Sequence, residues 1–224
     1  MEFLLVHSAL VGPTTWRWVA DALSAAGHDA AIPDLHSSAL TGQPQAFIDE
    51  AVSSAPSNWS MPVVVGHSGA GFFLPSIAGR LDAAHAVFAD AGLPPDSSPA
   101  AAGADFFDQL RVLAVDGTLP RWSTWWGDDA MKMLVPDGLR RTQVEAELPA
   151  IPIVFHETPI ELPPGWPRRP ASFLLLSDAY RADAERARSL GWPLTDRPGG
   201  HLDIVNTPEA VAGDIVDLVL QTRL

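Results

Sequence analysis

Short apolar runs and amphipathic helical segments alternate along most of this chain. The apolar runs have the length of strands and cover Glu2–Val6, Asp29–Ile32, Val63–Val65, Ala86–Ala89, Ser172–Leu176 and, more weakly, Leu194–Arg197. Apolar residues at helical spacing predict helices over Thr15–Ala26, Gln43–Ser53, Ala70–Leu81, Tyr180–Leu190 and Pro208–Leu220. Because such alternation implies crossover connections, the sequence predicts a three-layer α/β fold, with a mostly parallel sheet of about six strands and helices on both faces.

The alternation stops between the fourth and fifth apolar runs, where proline is frequent and strand signals are scarce. Two short helices are predicted there, over Ala104–Val115 and Gly138–Leu148. A long connection of this kind inside a compact domain is usually functional. We therefore expect one domain over residues 1–224, with residues 94–170 forming a small lid inserted within it.

The charge balance and the residue inventory exclude several classes of function. A net charge of −13 disfavours nucleic acids and anionic membranes as partners, because both repel an acidic surface. The absence of cysteine excludes disulfides and thiolate chemistry. The first apolar run is too short for a signal peptide or a membrane span, so the expected location is cytoplasmic. The expected partner is a small-molecule substrate, bound by a monomer or a homodimer.

The stretch GHSGAG, residues 66–71, lies between a predicted strand and a predicted helix. A serine at such a turn can be exposed to a base and to oxyanion donors, which a weakly nucleophilic hydroxyl requires. Small residues are needed two positions on either side of the serine, and Gly66 and Ala70 fill those places. Ser68 is therefore the candidate nucleophile, although Ala70 stands where the G-x-S-x-G pattern has glycine.

A candidate base follows the last predicted strand. His201 comes after Gly199 and Gly200 and precedes the C-terminal helix. Because the carboxyl ends of parallel strands emerge at one edge of the sheet, this loop and Ser68 are expected on the same side.

The order of serine and late histidine resembles the α/β-hydrolase superfamily, whose order is serine, acid, histidine. The segment from His7 to Trp16 also looks like the H-G-x-x-x-G-x-x-x-W segment of compact, cofactor-free members similar to plant methyl esterases and hydroxynitrile lyases. This resemblance implies an oxyanion hole made by the backbone amides of Ala9 and Gly69. Ser8 replaces the usual glycine after the histidine and could contribute its hydroxyl to the site.

The acid that would orient His201 has several candidates. Asp178, just past the fifth apolar run, lies where the superfamily usually carries its acid, and is preferred. Asp90, at the end of the neighbouring run, is the alternative, and Glu157 and Asp183 follow.

Three tryptophans in the insertion, Trp122, Trp125 and Trp126, are candidates for lining an apolar pocket, although such residues also pack lids onto cores. No histidine spacing typical of a metal site and no nucleotide-binding loop is present, so no cofactor is expected.

The resulting prediction is a serine hydrolase that cleaves an ester, lactone or thioester of a small to medium apolar substrate. The acyl group would be carried on Ser68. One alternative is a cofactor-free lyase, cyclase or acyltransferase that uses Ser68 and His201 as acid and base. The other is a ligand-binding protein without catalytic activity.

Overall fold

The computed structural model describes residues 1–96, 98–100, 104–127 and 129–222, without the side chains of residues 104–107. Residues 97, 101–103 and 128 of the predicted insertion, and the last two residues of the predicted domain, lie outside this part. Six strands form the main sheet: β1 (Glu2–Val6), β2 (Asp29–Ala31), β3 (Val63–Ser68), β4 (His85–Ala91), β7 (Ala171–Leu175) and β8 (Leu194–Asp196). Their order is β2-β1-β3-β4-β7-β8, and every neighbouring pair is parallel.

Helices follow the strands of the main sheet along the chain. They are α1 (Thr14–Ala25), α2 (His36–Leu40), α3 (Pro44–Ser53), α4 (Leu74–Arg80), α9 (Arg181–Ser189), α10 (Asp203–Asn206) and α11 (Pro208–Gln221). Because β2 and β3 flank β1 on opposite sides, right-handed crossovers place the helices after β1 and after β2 on opposite faces of the sheet. In agreement, α1 packs on α11, and α3 packs on α4. This is the three-layer arrangement predicted from the sequence.

The core lies between these layers. The residues of β4 and β7 are all buried, as expected for central strands of a parallel sheet covered on both faces. Trp16 of α1 is fully buried and donates its indole N–H to the carbonyl of Val6, the last residue of β1, at 3.0 Å. The end of β1 is thereby fixed against the first helix.

The segment between β4 and β7 has a different architecture. It holds the helices α5 (Ala104–Leu113), α6 (Ala130–Leu134), α7 (Gly138–Glu145) and α8 (Val154–Glu157), together with the short antiparallel pair β5 (Thr118–Leu119) and β6 (Ile151–Pro152). The two predicted helices of this segment correspond to α5 and α7. The small β5–β6 sheet was not predicted, because two-residue strands carry too little pattern to be recognised.

Glu147, just after α7, connects this segment to the main domain. Its carboxylate accepts hydrogen bonds from the backbone N–H of Thr14 at 2.8 Å and from the Thr14 hydroxyl at 2.7 Å. Its backbone carbonyl lies 2.6 Å from Nε2 of His36. The carboxylate thus caps the N-terminus of α1 from a distant part of the chain, where negative charge is favoured by the helix dipole.

Candidate active site

The loop after β1 and the turn after β3, which begins at Ser68, meet at the place where the strand order reverses. The chain moves from β1 to one side of the sheet with β2 and to the other side with β3. In open parallel sheets, the crevice beyond the carboxyl ends of two such strands is the usual position of a ligand site. Here the loop after β1 and the turn after β3 border that crevice.

Ser68 ends β3 in a backbone conformation that ordinary residues avoid. Its φ is 59° and its ψ is −130°. A residue held in such a sparsely populated region stores about 1–3 kcal/mol and is concentrated at functional sites. The strand therefore ends in a sharp turn at Ser68, and Ser68 borders a cavity.

Two glycines allow this turn to pack closely. An added Cβ at Gly66 would lie 2.1 Å from Cδ1 of Leu74, and one at Gly71 would lie 2.2 Å from the carbonyl oxygen of Gly92. Ala70, between them, is fully buried without displacing either neighbour. The pattern therefore tolerates alanine at its fifth position here, while Gly71 takes the close contact with the backbone that follows β4. Residues Gly69–Phe73 form a 3-10 helix ahead of α4, where one continuous α-helix from Ala70 was predicted.

His201 pairs with Asp90. Nδ1 of His201 lies 2.7 Å from Oδ2 of Asp90. The other carboxylate oxygen accepts the backbone N–H groups of Leu176 and Ser177, each at 2.9 Å, and Oδ2 also accepts the Ser177 hydroxyl at 2.6 Å. With a proton on Nδ1 directed at the carboxylate, the neutral imidazole has its lone pair on Nε2, where a base needs it.

The Asp90 carboxylate is completely buried yet charged. Burial by itself would raise its pKa, but the hydrogen bond and charge of His201, with the hydrogen bonds from Ser177 and Leu176, hold the pKa below its ordinary value. A carboxylate at this place stabilises an imidazolium on His201.

A β-bulge brings Asp90 into this position. His67 of β3 pairs with Ala89, but Ser68 pairs with Ala91, so that Asp90 is the additional residue of β4. Its φ is 44°, a conformation that aspartate tolerates better than most residues. Such bulges redirect a side chain, and this one turns the carboxylate toward His201.

The carboxylate preferred from the sequence, Asp178, lies elsewhere. Its side chain is 91% exposed and pairs with Arg181, which also binds Asp196. Asp90 therefore replaces it as the candidate acid, because of these two carboxylates it is that of Asp90 that lies within hydrogen-bond distance of the imidazole. Asp183 instead accepts the backbone N–H of Leu93 at 2.8 Å.

The remaining carboxylate candidate belongs to the insertion. Glu157 lies at the end of α8 and accepts a hydrogen bond from Nε of Arg111 at 3.1 Å. Its side chain is 34% exposed. The structure thus places this carboxylate in an ion pair at the surface of the insertion.

Tyr180 is a site residue that the sequence analysis did not identify. Its hydroxyl lies 3.0 Å from Oγ of Ser68, and its ring stacks on the imidazole of His201 with centroids 5.3 Å apart and planes 20° apart. Ser68 and His201 border the same cavity, but the described hydrogen bond of the Ser68 hydroxyl is to Tyr180. The residue was interpreted only as the start of a helix, and no sequence motif marks its second role.

His67 supports the opposite face of the His201 ring. The two imidazoles stack at 4.3 Å, and Nε2 of His67 donates to the backbone carbonyl of His201 at 2.8 Å. Burial, with the charge of His201, lowers the pKa of His67 to about 3, so this ring is neutral at ordinary pH. His201 is consequently held between His67 and Tyr180.

The loop after β1 lies against the start of the 3-10 helix Gly69–Phe73. The Ser8 hydroxyl is 3.2 Å from the position that a Cβ on Gly69 would take, and it accepts the N–H of Leu10 at 3.3 Å. The N–H of Gly69, in the first turn of its helix, has no intrahelical acceptor. Ala9 is buried in the loop beside Ser8. The loop that carries Ala9 therefore lies beside Gly69.

His7 forms hydrogen bonds that hold the loop after β1 in place. Its Nδ1 lies 2.8 Å from the Ser8 carbonyl, and its Nε2 accepts the N–H of Leu35 at 3.1 Å. Burial lowers the pKa of His7 to about 4. The ring therefore connects the loops after β1 and β2 as a neutral group, and both of its nitrogens are used.

An apolar cavity of about 760 Å³ opens beside Ser68. Its lining includes the three tryptophans singled out in the sequence and further aromatic and aliphatic residues, among them Leu10, Phe72, Phe73, Leu110, Leu113, Trp122, Trp125, Trp126, Met133, Leu134, Phe155 and Ile160. Ser8, expected to contribute to the pocket, is buried and is not among the described residues of the lining. Much of this wall comes from the segment between β4 and β7.

The cavity wall carries few polar groups. Besides Ser68 and His201, they include Tyr180, Asp183 and His156. Arginine and lysine are absent from the described lining, so the walls favour a ligand that is apolar and not anionic.

Neither a metal site nor a membrane span is found in the described chain. Among residues 1–96, 98–100, 104–127 and 129–222, no three histidine, aspartate or glutamate side chains are grouped so that they could hold a metal ion. Over the same residues, every helix is too short or too polar to cross a bilayer.

The sheet order, the strained Ser68 turn and the His201–Asp90 pair define an α/β-hydrolase fold. No protein-family model matches the chain, and no curated protein matches its sequence. Solved structures do match over nearly the whole length. An extracellular α/β-hydrolase from a Paenibacillus species, described as a structural and functional homologue of tobacco salicylic acid binding protein 2, is 17% identical with a TM-score of 0.77, and the match covers 97% of this chain and 98% of that one.

Two further solved structures match the chain over nearly its whole length. A variant of tomato methylketone synthase I complexed with β-ketoheptanoate is 13% identical with a TM-score of 0.76, covering 99% of this chain and 97% of that one. Polyneuridine aldehyde esterase is 14% identical with a TM-score of 0.72, covering 97% and 98%. The fold expected from the resemblance to compact α/β-hydrolases is confirmed.

Proposed function

We propose that this protein is a serine hydrolase that cleaves an ester of a small to medium apolar substrate through an acyl-enzyme on Ser68. The observation that carries the proposal is the strained Ser68 turn at the mouth of an apolar cavity also bordered by His201, whose Nδ1 is 2.7 Å from buried Asp90. The solved neighbours support it, since they include an esterase and a pyrethroid hydrolase. Lactones and thioesters are open to the same chemistry.

In the first half-reaction, His201 accepts the proton of Ser68 on Nε2 while Oγ attacks the ester carbonyl. Asp90 stabilises the imidazolium that forms. The backbone amides of Ala9 and Gly69 bind the oxyanion, and each such donor contributes about 3 kcal/mol in comparable sites. His201 then protonates the leaving alcohol, and in the second half-reaction it activates the water that releases the acid.

This reaction requires the Ser68 hydroxyl to turn from Tyr180 toward His201. A serine χ1 rotation moves Oγ between staggered positions with the backbone held in place. Because Ser68 and His201 border the same cavity, a substrate carbonyl bound there would meet both groups.

Labelling with a fluorophosphonate tests the nucleophile directly. We expect a single covalent adduct on the peptide that contains Ser68, and none in Ser68→Ala. Ser189→Ala, which changes an exposed serine of α9, is the matched control and should label like the wild type. A panel of p-nitrophenyl esters with short to long acyl chains then measures turnover. A folded wild type with neither adduct nor turnover would contradict the proposal.

The second candidate function keeps the site and changes the chemistry. A lyase, cyclase or acyltransferase could use Ser68 and His201 as acid and base without water attacking an acyl-enzyme. The hydrogen bond of Ser68 to Tyr180 favours it, since a serine held as an acid or a donor needs no contact with His201. One solved neighbour is a synthase. Absence of a Ser68 adduct together with conversion of a non-ester substrate would select this alternative.

A further inference from the structure

Tyr180 contacts both the proposed nucleophile and the proposed base. Its Oη lies 3.0 Å from Oγ of Ser68, and its ring is nearly parallel to the His201 imidazole. It is the one tyrosine of the sequence. The proposed roles of Ser68, His201 and Asp90 do not require either contact, so they leave this phenol without an assigned function.

The phenol is held in place by the same carboxylate that holds the histidine. Asp90 binds the backbone N–H and the hydroxyl of Ser177, at the start of the turn that carries Tyr180. The N–H of Tyr180 in turn approaches the carbonyl of Ser177 at 3.4 Å. Tyr180 and His201 are therefore positioned by one buried anchor, and the hydroxyl does not reach Ser68 from a loose surface loop.

The protonation state of Tyr180 limits what it can do. Burial raises the pKa of its phenol to about 12. The hydroxyl therefore keeps its proton at neutral pH and is able to donate a hydrogen bond, whereas a phenolate that could accept the proton of Ser68 is disfavoured.

Ser68, Tyr180 and His201 line the same cavity, so the leaving group of an ester attacked by Ser68 would depart beside Tyr180. The leaving oxygen must come within reach of Nε2 of His201, which supplies its proton, while its carbon is bonded to Oγ of Ser68. The Tyr180 ring stacks on His201 and its hydroxyl lies 3.0 Å from Oγ in the resting site, so the phenol borders the space between the two reacting groups. We propose that Tyr180 is a catalytic residue that donates a hydrogen bond to Oγ of Ser68 at rest and to the leaving oxygen when the tetrahedral intermediate collapses.

The step balances without any further reagent. The bond between the carbonyl carbon and the leaving oxygen breaks, and its electron pair goes to the leaving oxygen. The proton that this oxygen takes comes from Nε2 of His201, which received it from Ser68. Tyr180 keeps its own proton and stabilises the charge that develops on the oxygen. This contribution grows with the basicity of the leaving alcohol, because a strongly basic alkoxide develops more charge before it is protonated.

The inference rests on the proposed ester hydrolysis, and a single variant tests it. Tyr180→Phe keeps the ring on His201 and removes only the hydroxyl. Ethyl and p-nitrophenyl esters of the same acid are compared through kcat/KM, which reports acylation. We expect the ethyl ester to slow by about 30-fold to 100-fold and the p-nitrophenyl ester by less than about threefold, as for loss of a donor to a developing charge.

Asp178→Asn is the matched control, because it lies in the same turn with its side chain in solvent, and it should leave both rates unchanged. Equal losses for the two esters in Tyr180→Phe, or no loss for either, would overturn the role of Tyr180, since a merely structural effect does not depend on the leaving group. A wild type without a Ser68 adduct and without ester turnover would overturn the proposed hydrolysis and the Tyr180 step with it.

Discussion

Asp90 and His201 are 111 positions apart in the chain, and a contact of 2.7 Å joins Oδ2 of the first to Nδ1 of the second. The contact depends on the β-bulge at Asp90. Without this additional residue, the pairing of β4 with β3 would continue from Ala89 directly to Ala91, and no carboxylate would be available there for His201.

Asp90→Asn is expected to lower kcat by roughly 10³-fold to 10⁴-fold, because an amide that donates to Nδ1 of His201 stabilises the wrong tautomer of the base. Asp178→Asn is expected to stay within about twofold of the wild type, since an exposed ion pair contributes little. Both are measured with a p-nitrophenyl ester after thermal melts show that the variants fold. A large loss of kcat in Asp178→Asn together with a small loss in Asp90→Asn would show that Asp178 is the acid.

Gly71→Ala is expected to destabilise the protein by about 1–3 kcal/mol, because its new methyl group would overlap the Gly92 carbonyl at 2.2 Å. Gly213→Ala, in the exposed middle of α11, meets no atom within 4 Å and is expected to gain about 0.5–1 kcal/mol from reduced backbone entropy. Urea unfolding of both variants gives the comparison. If the two substitutions had equal effects, the close approach at the Ser68 turn would not limit residue choice there.

Trp122→Ala is expected to lower kcat/KM for long acyl chains by about tenfold or more and to affect acetate esters much less, because it removes a large apolar wall from the cavity. Its ring also lies 6.3 Å from that of His201, so this wall adjoins the reacting groups. Trp18→Ala, on α1 and outside the cavity lining, is the control and should leave the chain-length profile unchanged. Equal losses for all chain lengths would mean that Trp122 supports the site without contacting the acyl group.

Stability is expected to fall as the pH decreases from about 6.5 toward 4. Burial lowers the pKa values of His7 and His156 to about 4 and, with the charge of His201, that of His67 to about 3. In the unfolded chain these rings titrate near 6.5, so the unfolded state binds more protons in this window and is favoured by acid. Above pH 6.5 the stabilisation is complete.

The His7→Asn variant isolates one of these titrations. Asparagine keeps a donor and an acceptor but takes up no proton. The slope of unfolding free energy against pH, measured in urea between pH 6.5 and 4.5, should decrease by about 1 kcal/mol per pH unit relative to the wild type. An unchanged slope would show that His7 is not a buried neutral group in the folded protein.

The sequence was sufficient to predict the layers. The strands of the main sheet coincide with short apolar runs in the sequence, and the long helices have apolar residues at helical spacing. The candidate nucleophile and base were also recognisable, since Ser68 and His201 sit in short motifs beside predicted strands. Asp90 could not be ranked first, because a bulge inserts a residue without changing the local hydrophobic pattern. Tyr180 could not be found, since its approach to Ser68 depends on the packing of a turn and not on any local spacing.

The bulge in β4 also determines what the neighbouring strand end can carry. With the negative charge supplied from β4, the turn after β7 needs no carboxylate aimed at the histidine and binds the buried Asp90 through its own N–H groups. The same turn carries the uncharged side chain of Tyr180, whose hydroxyl contacts Ser68. Two adjacent strand ends therefore have different roles in the proposed mechanism. One supplies negative charge to the proposed base and the other a neutral hydroxyl to the proposed nucleophile. A shift of one residue in β4 would remove the first of these contacts.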